Sequence, residues 1–227
     1  MKRNILIIAP HPDDEILGCG GTIAKHIANG NDVFVAIVTK GCKPLFSDDS
    51  VEQVREECRE ADAYLGVRKT IFMDFPASML EKVPRYKLNE AFIKLIQDIK
   101  PEMVYLPHRG DMQLDHKMTV DAAMVALRPK YKHTVKKIYA YETLSETGWD
   151  VPNVENEFIP TSYNDIYGFL DKKIEAMKIF KSQIAEYPNP RSVESIKALA
   201  IYRGTTVGVK AAEAFVILRE IRGIGIS

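Results

Sequence analysis

The chain has few cysteines, a single tryptophan and no excess of either charge. Its three cysteines (Cys19, Cys42 and Cys58) are odd in number and form no CxxC pair. They favour reduced thiols in a cytoplasmic protein over a disulfide framework or a cysteine zinc site. The 31 basic residues balance the 31 acidic ones, so no global field attracts nucleic acid or an anionic membrane surface.

Long hydrophobic runs are also missing. The apolar segment at residues 4–9 is too short for a membrane span and has no cleavable small-residue site after it. We therefore expect no stable membrane insertion and no signal peptide. A chain of 227 residues with 46% hydrophobic side chains is long enough to bury a substantial core. We expect a single domain over residues 1–227.

The first half of the chain alternates short β-branched runs with helical periodicity. The pattern predicts strands at 5–9, 33–39, 70–73 and 103–106, with helices at 16–27, 51–65 and 88–99 between them. Successive β-α units of this kind predict an α/β fold, a Rossmann-like, doubly wound and mostly parallel sheet flanked by helices. Beyond residue 134 we expect a strand at 135–141, an irregular stretch at 144–167 and helices near 168–186, 192–203 and 210–221.

Titratable side chains follow the first predicted strand at once. The sequence reads Pro-His-Pro-Asp-Asp-Glu over residues 10–15, and neither proline can donate a hydrogen bond that would continue the strand. One imidazole and three carboxylates are thus delivered to the carboxyl end of a strand, where α/β proteins bind their ligands. Packing these carboxylates together costs repulsion unless a proton or a cation is present.

A second polar segment follows the fourth predicted strand. Residues 108–116 read His-Arg-Gly-Asp-Met-Gln-Leu-Asp-His, directly after Pro107. In the common strand order 3-2-1-4, the first and fourth strands are neighbours and their loops face each other across the ligand crevice. We therefore expect the two segments to meet, although about a hundred residues separate them.

Imidazoles combined with a carboxylate and an open position are typical of catalytic zinc. Such a metal lowers the pKa of a bound water and polarises a carbonyl, and a spare carboxylate beside it can take the proton. An all-carboxylate site would favour magnesium instead. His11-x-Asp13-Asp14 provides both a ligand and a candidate base, because adjacent residues on a turn point in different directions.

The two segments together resemble the PIG-L/LmbE family of zinc-dependent N-deacetylases. The resemblance rests on His11-Pro12-Asp13-Asp14-Glu15 followed by Gly18-x-Gly20-Gly21, and on Asp111-x-x-x-Asp115-His116. It extends to Arg55-Glu56-Glu57 and to the tail Tyr202-Arg203-Gly204. The pair of separated motifs is specific, whereas either alone would be much weaker.

The resemblance implies a role for each matching residue. The ligands of one zinc ion per chain would be His11, Asp14 and His116. Asp13 would be the general base for a metal-bound water that attacks the acetamide carbonyl, and Asp115 would orient a ligand or the base. The residues expected on the substrate side are Arg55, Asp111 and Tyr202. The implied substrate is an N-acetylated amino sugar or its conjugate, and the implied assembly is a trimer or a hexamer.

One position departs from the family pattern. Many members have a histidine, proposed as the general acid, three residues before the last zinc ligand, and this chain has Gln113 there. An amide cannot donate and regenerate a proton, so Asp13 would have to pass its proton to the leaving amine. Gln113 can still donate a hydrogen bond to the tetrahedral oxyanion.

Other interpretations remain open at this stage. A magnesium-dependent receiver domain also has an acidic pair after its first strand, but it has no use for His11 and His116. A non-catalytic module that binds carbohydrate or metal would tolerate replacement of Asp13. O-deacetylation, or cleavage of another small amide, would use the same water attack. The sequence is equally consistent with Arg55 as a solvated arginine paired with an acid. Asp13 and Asp14 could also cap the first helix, although capping does not require His11.

Overall fold

The computed structural model describes residues 2–130 and 133–223. Its centre is a seven-stranded sheet in the order β3-β2-β1-β4-β5-β7-β6. The first five of these strands are mutually parallel, and β7 runs antiparallel to both β5 and β6. This confirms the predicted α/β class and the 3-2-1-4 order. The strands are β1 Asn4–Ala9, β2 Asp32–Lys40, β3 Lys69–Pro76, β4 Met103–Pro107, β5 Lys137–Tyr141, β6 Ser162–Asp165 and β7 Ala212–Glu220.

Helices cover both faces of this sheet. The helices are α1 Asp14–Ala28, α2 Asp48–Leu65, α3 Arg85–Ile99, α4 Leu114–Ala126, α5 Leu170–Ile179 and α6 Val193–Thr205. Alternate residues of β1 enter the two hydrophobic cores. Ile5 and Ile7 pack with apolar residues of α1, α2 and α5, whereas Leu6 and Ile8 pack with those of α3 and α4. A strand that is buried on both faces reads as a continuous apolar run.

The last predicted helix is wrong. Residues 210–221 contain the strand β7, which pairs with Tyr141 at Phe215 and with Tyr163 at Ala214. The segment Ala-Glu-Ala-Phe-Val-Ile-Leu contains several good helix formers, but pairing with a strand on each side overrides that local preference. The helix expected near 168–186 is also shorter, because α5 ends at Ile179.

A buried ion pair joins α5 to β7, and both of its side chains contact α1. Lys173 of α5 donates to Glu213 over 2.6 Å and to the carbonyl of Leu17 over 2.7 Å. The carboxylate of Glu213 also accepts hydrogen bonds from the backbone N–H groups of Gly21 and Thr22 in α1. A buried charge pair is tolerated when additional hydrogen bonds satisfy its remaining polar atoms, as they do here.

The structure also bears on the expectations about membrane segments and cysteines. Over residues 2–130 and 133–223, no helix combines the length and the apolar character needed to cross a membrane. Cys19, Cys42 and Cys58 are free thiols, and the first and last of them are buried. The expectation of a single domain over residues 1–227 stays a prediction.

Candidate active site

The turn between β1 and α1 places Asp13 in an unusual backbone conformation. Its φ of 109° and ψ of −29° lie in the left-handed region, which non-glycine residues seldom adopt. Its side chain makes no capping hydrogen bond to α1, although Asp13 is the residue that precedes the helix. Backbone strain of this kind persists where the surroundings hold it, and it concentrates at functional sites. The Asp13 carboxylate is thus free for another task.

Three side chains converge beside this turn. Oδ2 of Asp14 lies 3.3 Å from Nδ1 of His11 and 3.3 Å from Nε2 of His116. All three donor atoms lie within 4.8 Å of one another. His116 is fully buried, and its Nε2 atom has no hydrogen-bond partner in the part of the chain that the structure describes. The topology therefore brings the two predicted loops together, because β1 and β4 are neighbours in the sheet.

A carboxylate holds the far nitrogen of each imidazole. Nε2 of His11 lies 3.1 Å from Oδ2 of Asp115, which also accepts the backbone N–H of Ser78 over 2.6 Å. Nδ1 of His116 lies 2.8 Å from Oδ2 of Asp111. Metal-ligating histidines usually have such a partner, which fixes the tautomer and the direction of the free nitrogen. The free nitrogens here are those that face Asp14.

The electrostatics of this cluster favour positive charge. Burial would lower the pKa of His11, but the hydrogen bonds to Asp115 and Asp14 outweigh it and raise that pKa to about 9. Burial opposes protonation of His116 too, yet the charge of Asp14 and the hydrogen bond to Asp111 raise its pKa to about 10. Burial acts against ionisation of Asp14, but the two histidines keep its pKa well below the ordinary value. A divalent cation would occupy the same favourable field.

Asp13 lies beside this set without belonging to it. The residue is 1% exposed, and burial raises the pKa of its carboxyl to about 7 despite the opposing charge of Arg191. Nη1 of Arg191 lies 3.1 Å from Oδ2 of Asp13, a contact that is an ion pair and not an aligned hydrogen bond. A carboxylate whose pKa is near neutrality is suited to take up and release a proton.

A cavity of about 400 Å³ opens in front of the cluster. His11, Asp13 and Gln113 form its inner wall, and Arg55 of α2 lies on another wall. Arg55 forms an ion pair with Asp74 at 2.5 Å, and its guanidinium lies 4.1 Å from the centre of the Phe72 ring. Arg55 thus has an acidic partner and also borders the cavity.

Gln113 is held in place by Glu146. Its side-chain amide donates to Oε1 of Glu146 over 2.8 Å, and its backbone N–H lies 3.3 Å from Oε2. Gln113 immediately precedes α4, which carries Asp115 and His116 in its first turn. Burial raises the pKa of Glu146, which is 4% exposed.

The structure does not bring two of the expected substrate residues to the cavity. Asp111 is completely buried and contacts His116 and Thr147, so it has no surface that a substrate could touch. Tyr202 is 60% exposed on α6, and it is not among the described residues that line the cavity. The guanidinium of Arg203 lies 5.3 Å from its ring centre. The structure therefore places neither side chain at the cavity wall, and a substrate contact of Asp111 or Tyr202 stays a prediction.

Two residues of the site carry no signal in the sequence. Arg191 lies in the connection between α5 and α6, and Glu146 lies in the irregular stretch between β5 and β6, where no periodicity or motif singles them out. Only the tertiary structure brings Arg191 to Asp13 and Glu146 to Gln113.

Comparison with known proteins decides the family. The sequence profile described as "PIG-L: GlcNAc-PI de-N-acetylase" matches residues 6–127, which is more than half of the chain and contains both loops of the cluster. The chain belongs to the PIG-L family. This confirms the resemblance that the two separated motifs indicated.

Relatives of this PIG-L chain include named deacetylases. It is 29% identical over 186 residues to "Uncharacterized deacetylase YaiS" of Escherichia coli K12, a match that covers 80% of this chain and 92% of that protein. It is 24% identical over 245 residues to "Diacetylchitobiose deacetylase" of Thermococcus kodakarensis, covering 98% and 84% respectively. The crystal structure of the conserved protein TT1542 from Thermus thermophilus superposes with a TM-score of 0.79 at 27% identity, over 99% of both chains.

Proposed function

We propose that this PIG-L protein is a zinc-dependent N-deacetylase that removes the acetyl group from an acetamido sugar or its conjugate. One observation carries the proposal. Donor atoms of His11, Asp14 and His116 converge, the last two from buried side chains, and a second carboxylate, that of Asp13, stands beside them and faces the cavity. A module that only binds metal would need the three ligands. It would have no use for Asp13, whose backbone is strained and whose side chain makes no capping hydrogen bond.

The side chains present fit a zinc ion. Two imidazoles and one carboxylate form the donor set of several catalytic zinc sites, and Nε2 of His116 is a buried ring nitrogen with no hydrogen-bond partner among the described residues. When bound, zinc would supply a water of lowered pKa and a Lewis acid for the carbonyl. Asp115 and Asp111 would orient the two imidazoles from behind.

Asp13 would carry the proton. Its Oδ2 atom has no hydrogen-bond donor among the described residues, so it can accept a proton from the attacking water. The C–N bond of the amide then breaks, and the same oxygen returns the proton to the leaving nitrogen. The water oxygen forms the new C–O bond, so the direct products are acetic acid and a free amine. At neutral pH the acid gives its remaining proton to the amine, which leaves acetate and an ammonium group, and atoms and charge balance without a further co-reactant. Arg191 would hold the carboxylate in position throughout.

Gln113 would assist without transferring a proton. One of its two amide hydrogens is bound to Glu146, which leaves the other for the developing oxyanion. Because Glu146 also accepts the backbone N–H of Gln113, the direction of this amide is fixed before substrate arrives. Glu146 is therefore a positioning residue in this mechanism.

The names of relatives support the sugar as substrate. The family description refers to a GlcNAc conjugate, and the Thermococcus kodakarensis relative is named for diacetylchitobiose. The polar wall of the cavity, including Arg55, suits the hydroxyl groups of a sugar ring. A cytoplasmic location and a trimeric or hexameric assembly are further parts of the proposal, to be checked by fractionation and by light scattering.

Acetate release is the first experiment. The purified protein is incubated with free N-acetylglucosamine, a short chitooligomer, and nucleotide-linked and lipid-linked N-acetylglucosamine, and bound metal is assayed in the same preparation. One zinc per chain together with acetate from any of these compounds would support the proposal. Zinc without acetate would redirect the search to other amides and esters, and magnesium in place of zinc would refute the zinc mechanism.

A further inference from the structure

A second cavity adjoins the first on the far side of Arg191. It measures about 410 Å³, and Trp149, Ser145, Glu146 and Asn189 line it. The first and second cavities share three wall residues, Ser182, Gln183 and Arg191. A ligand whose reacting group lies at the cluster can therefore extend past Arg191 into the second cavity.

Trp149 is the aromatic wall of this second cavity. It is 59% exposed, and it is the only tryptophan in the chain. Its backbone N–H lies 3.4 Å from the carbonyl of Glu146, so the main chain at Trp149 is tied to the residue that holds Gln113. A single exposed aromatic residue does not by itself indicate a binding site. One that lines a cavity next to a candidate active site can bury apolar surface when a ligand packs against its ring.

The remaining wall is polar and suited to hydroxyl groups. Gln183 and Asn189 provide carboxamides, and Ser145 provides a hydroxyl, so donors and acceptors surround the indole. The guanidinium of Arg191 is fixed by Gln183 at 2.8 Å and by Ser145 at 3.1 Å. A pyranose ring has an apolar face of C–H groups and a rim of hydroxyls, and it matches this combination. Gln183 and Ser145 already bind Arg191 through some of their polar atoms, and an alkyl chain would cover the remaining donors and acceptors of this wall without offering them a hydrogen bond.

We propose that the second cavity is a subsite for a second sugar ring, which stacks on Trp149 while the acetamido group of the first ring lies at the metal cluster. The preferred substrate is therefore an oligosaccharide or a glycoconjugate with at least two rings, and a free monosaccharide would occupy the first position alone. This inference rests on the proposed deacetylase function for its orientation, but binding at Trp149 can be measured without turnover.

Fluorescence provides the direct test. Because Trp149 is the only tryptophan, its emission reports this cavity alone. An Asp13→Asn variant, in which hydrolysis is suppressed, is titrated with N-acetylglucosamine, diacetylchitobiose and triacetylchitotriose. We expect a saturable blue shift with the two oligomers and little change with the monosaccharide. An emission spectrum that none of the oligomers alters would overturn the subsite.

Kinetics provide the second test. Trp149→Ala should raise KM for diacetylchitobiose about tenfold, which corresponds to the loss of one stacking contact, and leave kcat/KM for N-acetylglucosamine within about twofold. Trp149→Phe should recover most of the loss. Tyr86→Ala serves as the matched control, because Tyr86 is a 60% exposed aromatic residue that borders neither cavity. Equal effects of Trp149→Ala on both substrates would refute the proposal.

The two measurements separate the two hypotheses. A saturable shift without acetate release from any sugar would support the subsite and count against the deacetylase function. Acetate release with unchanged emission would support the deacetylase function and remove the subsite.

Discussion

Arg191, in the connection between α5 and α6, places Nη1 3.1 Å from Oδ2 of Asp13 at the start of α1. The guanidinium is itself tied to Ser145 and Gln183, so the turn before α1, the β5–β6 connection and the α5–α6 connection meet at this one guanidinium. The contact provides the positive charge that keeps a buried Asp13 from losing its ionised form altogether.

Removal of this guanidinium should slow turnover. We expect Arg191→Gln to lower kcat by about 10- to 100-fold with bound zinc unchanged, because small displacements of a catalytic group have effects of this size. Steady-state kinetics and metal analysis on the same sample measure both quantities. Arg109→Gln is the control, since Arg109 pairs with Asp121 on an exposed surface. A kcat close to that of wild type would show that Asp13 does not need Arg191.

Asp13 should be needed for the hydrolysis step and not for metal binding. Asp13→Asn keeps the shape of the side chain but removes the proton acceptor, so kcat should fall by about 10²- to 10⁴-fold. Zinc content should stay at one per chain, because the proposed ligands are His11, Asp14 and His116. Loss of zinc together with activity would instead place Asp13 among the ligands.

Asp111 should contribute to metal affinity from behind His116. Asp111→Asn weakens the hydrogen bond to Nδ1 of His116. Loss of a residue that hydrogen-bonds to a metal ligand typically lowers metal affinity about 10- to 100-fold. Competition with a chromophoric chelator measures the change. Asp121→Asn, on the exposed side of α4, is the matched control. Unaltered zinc affinity in Asp111→Asn would separate Asp111 from the metal site.

His26 should make the fold less stable in acid. Burial and the nearby charges of Lys25 and Arg3 lower its pKa from 6.5 to about 4, and Nε2 lies 3.0 Å from the hydroxyl of Tyr105. Below about pH 6.5 His26 takes up a proton in the unfolded chain but stays neutral in the folded chain. Its contribution to the free energy of unfolding is therefore fully present above that pH and is lost as the pH falls toward 4. The loss should reach about 2 kcal/mol at about pH 5.

Urea unfolding at about pH 7.5 and about pH 5 measures this loss. Both wild type and His26→Gln are unfolded with a chelator present, so that metal release does not contribute. The wild type should lose about 2 kcal/mol more than the variant on acidification. Parallel losses in the two proteins would assign the acid sensitivity to other groups.

Local sequence was sufficient for the parallel part of the fold and for the convergence of the two loops. β1 is an uninterrupted apolar run stopped by Pro10, and β4 is stopped in the same way at Pro107. Strand order then required only that sequential β-α units wind in the usual direction. That topology accounts for the meeting of the two loops, whereas the choice of His11, Asp14 and His116 within them rested on the family resemblance.

The rest depended on contacts between distant segments. β7 has the composition of a helix and becomes a strand only because β5 and β6 bind both of its edges. Arg191 and Glu146 lie in irregular stretches, where the backbone path is set by packing and not by periodicity. The burial of Asp111 could not be predicted either, since a motif fixes spacing but not which side of an imidazole each acid occupies.

The buried pair of Lys173 and Glu213 makes the first helix depend on the last part of the chain. α1 follows Asp13 and begins with Asp14, and its middle turns are held by a side chain from α5 and another from β7. The region that matches the family profile ends at residue 127, before either of these side chains. A fragment cut at that boundary would contain every proposed ligand, but it would lack the two side chains that hold the middle of α1, the helix that begins at Asp14. We therefore expect that the ligand set would not form in this fragment alone.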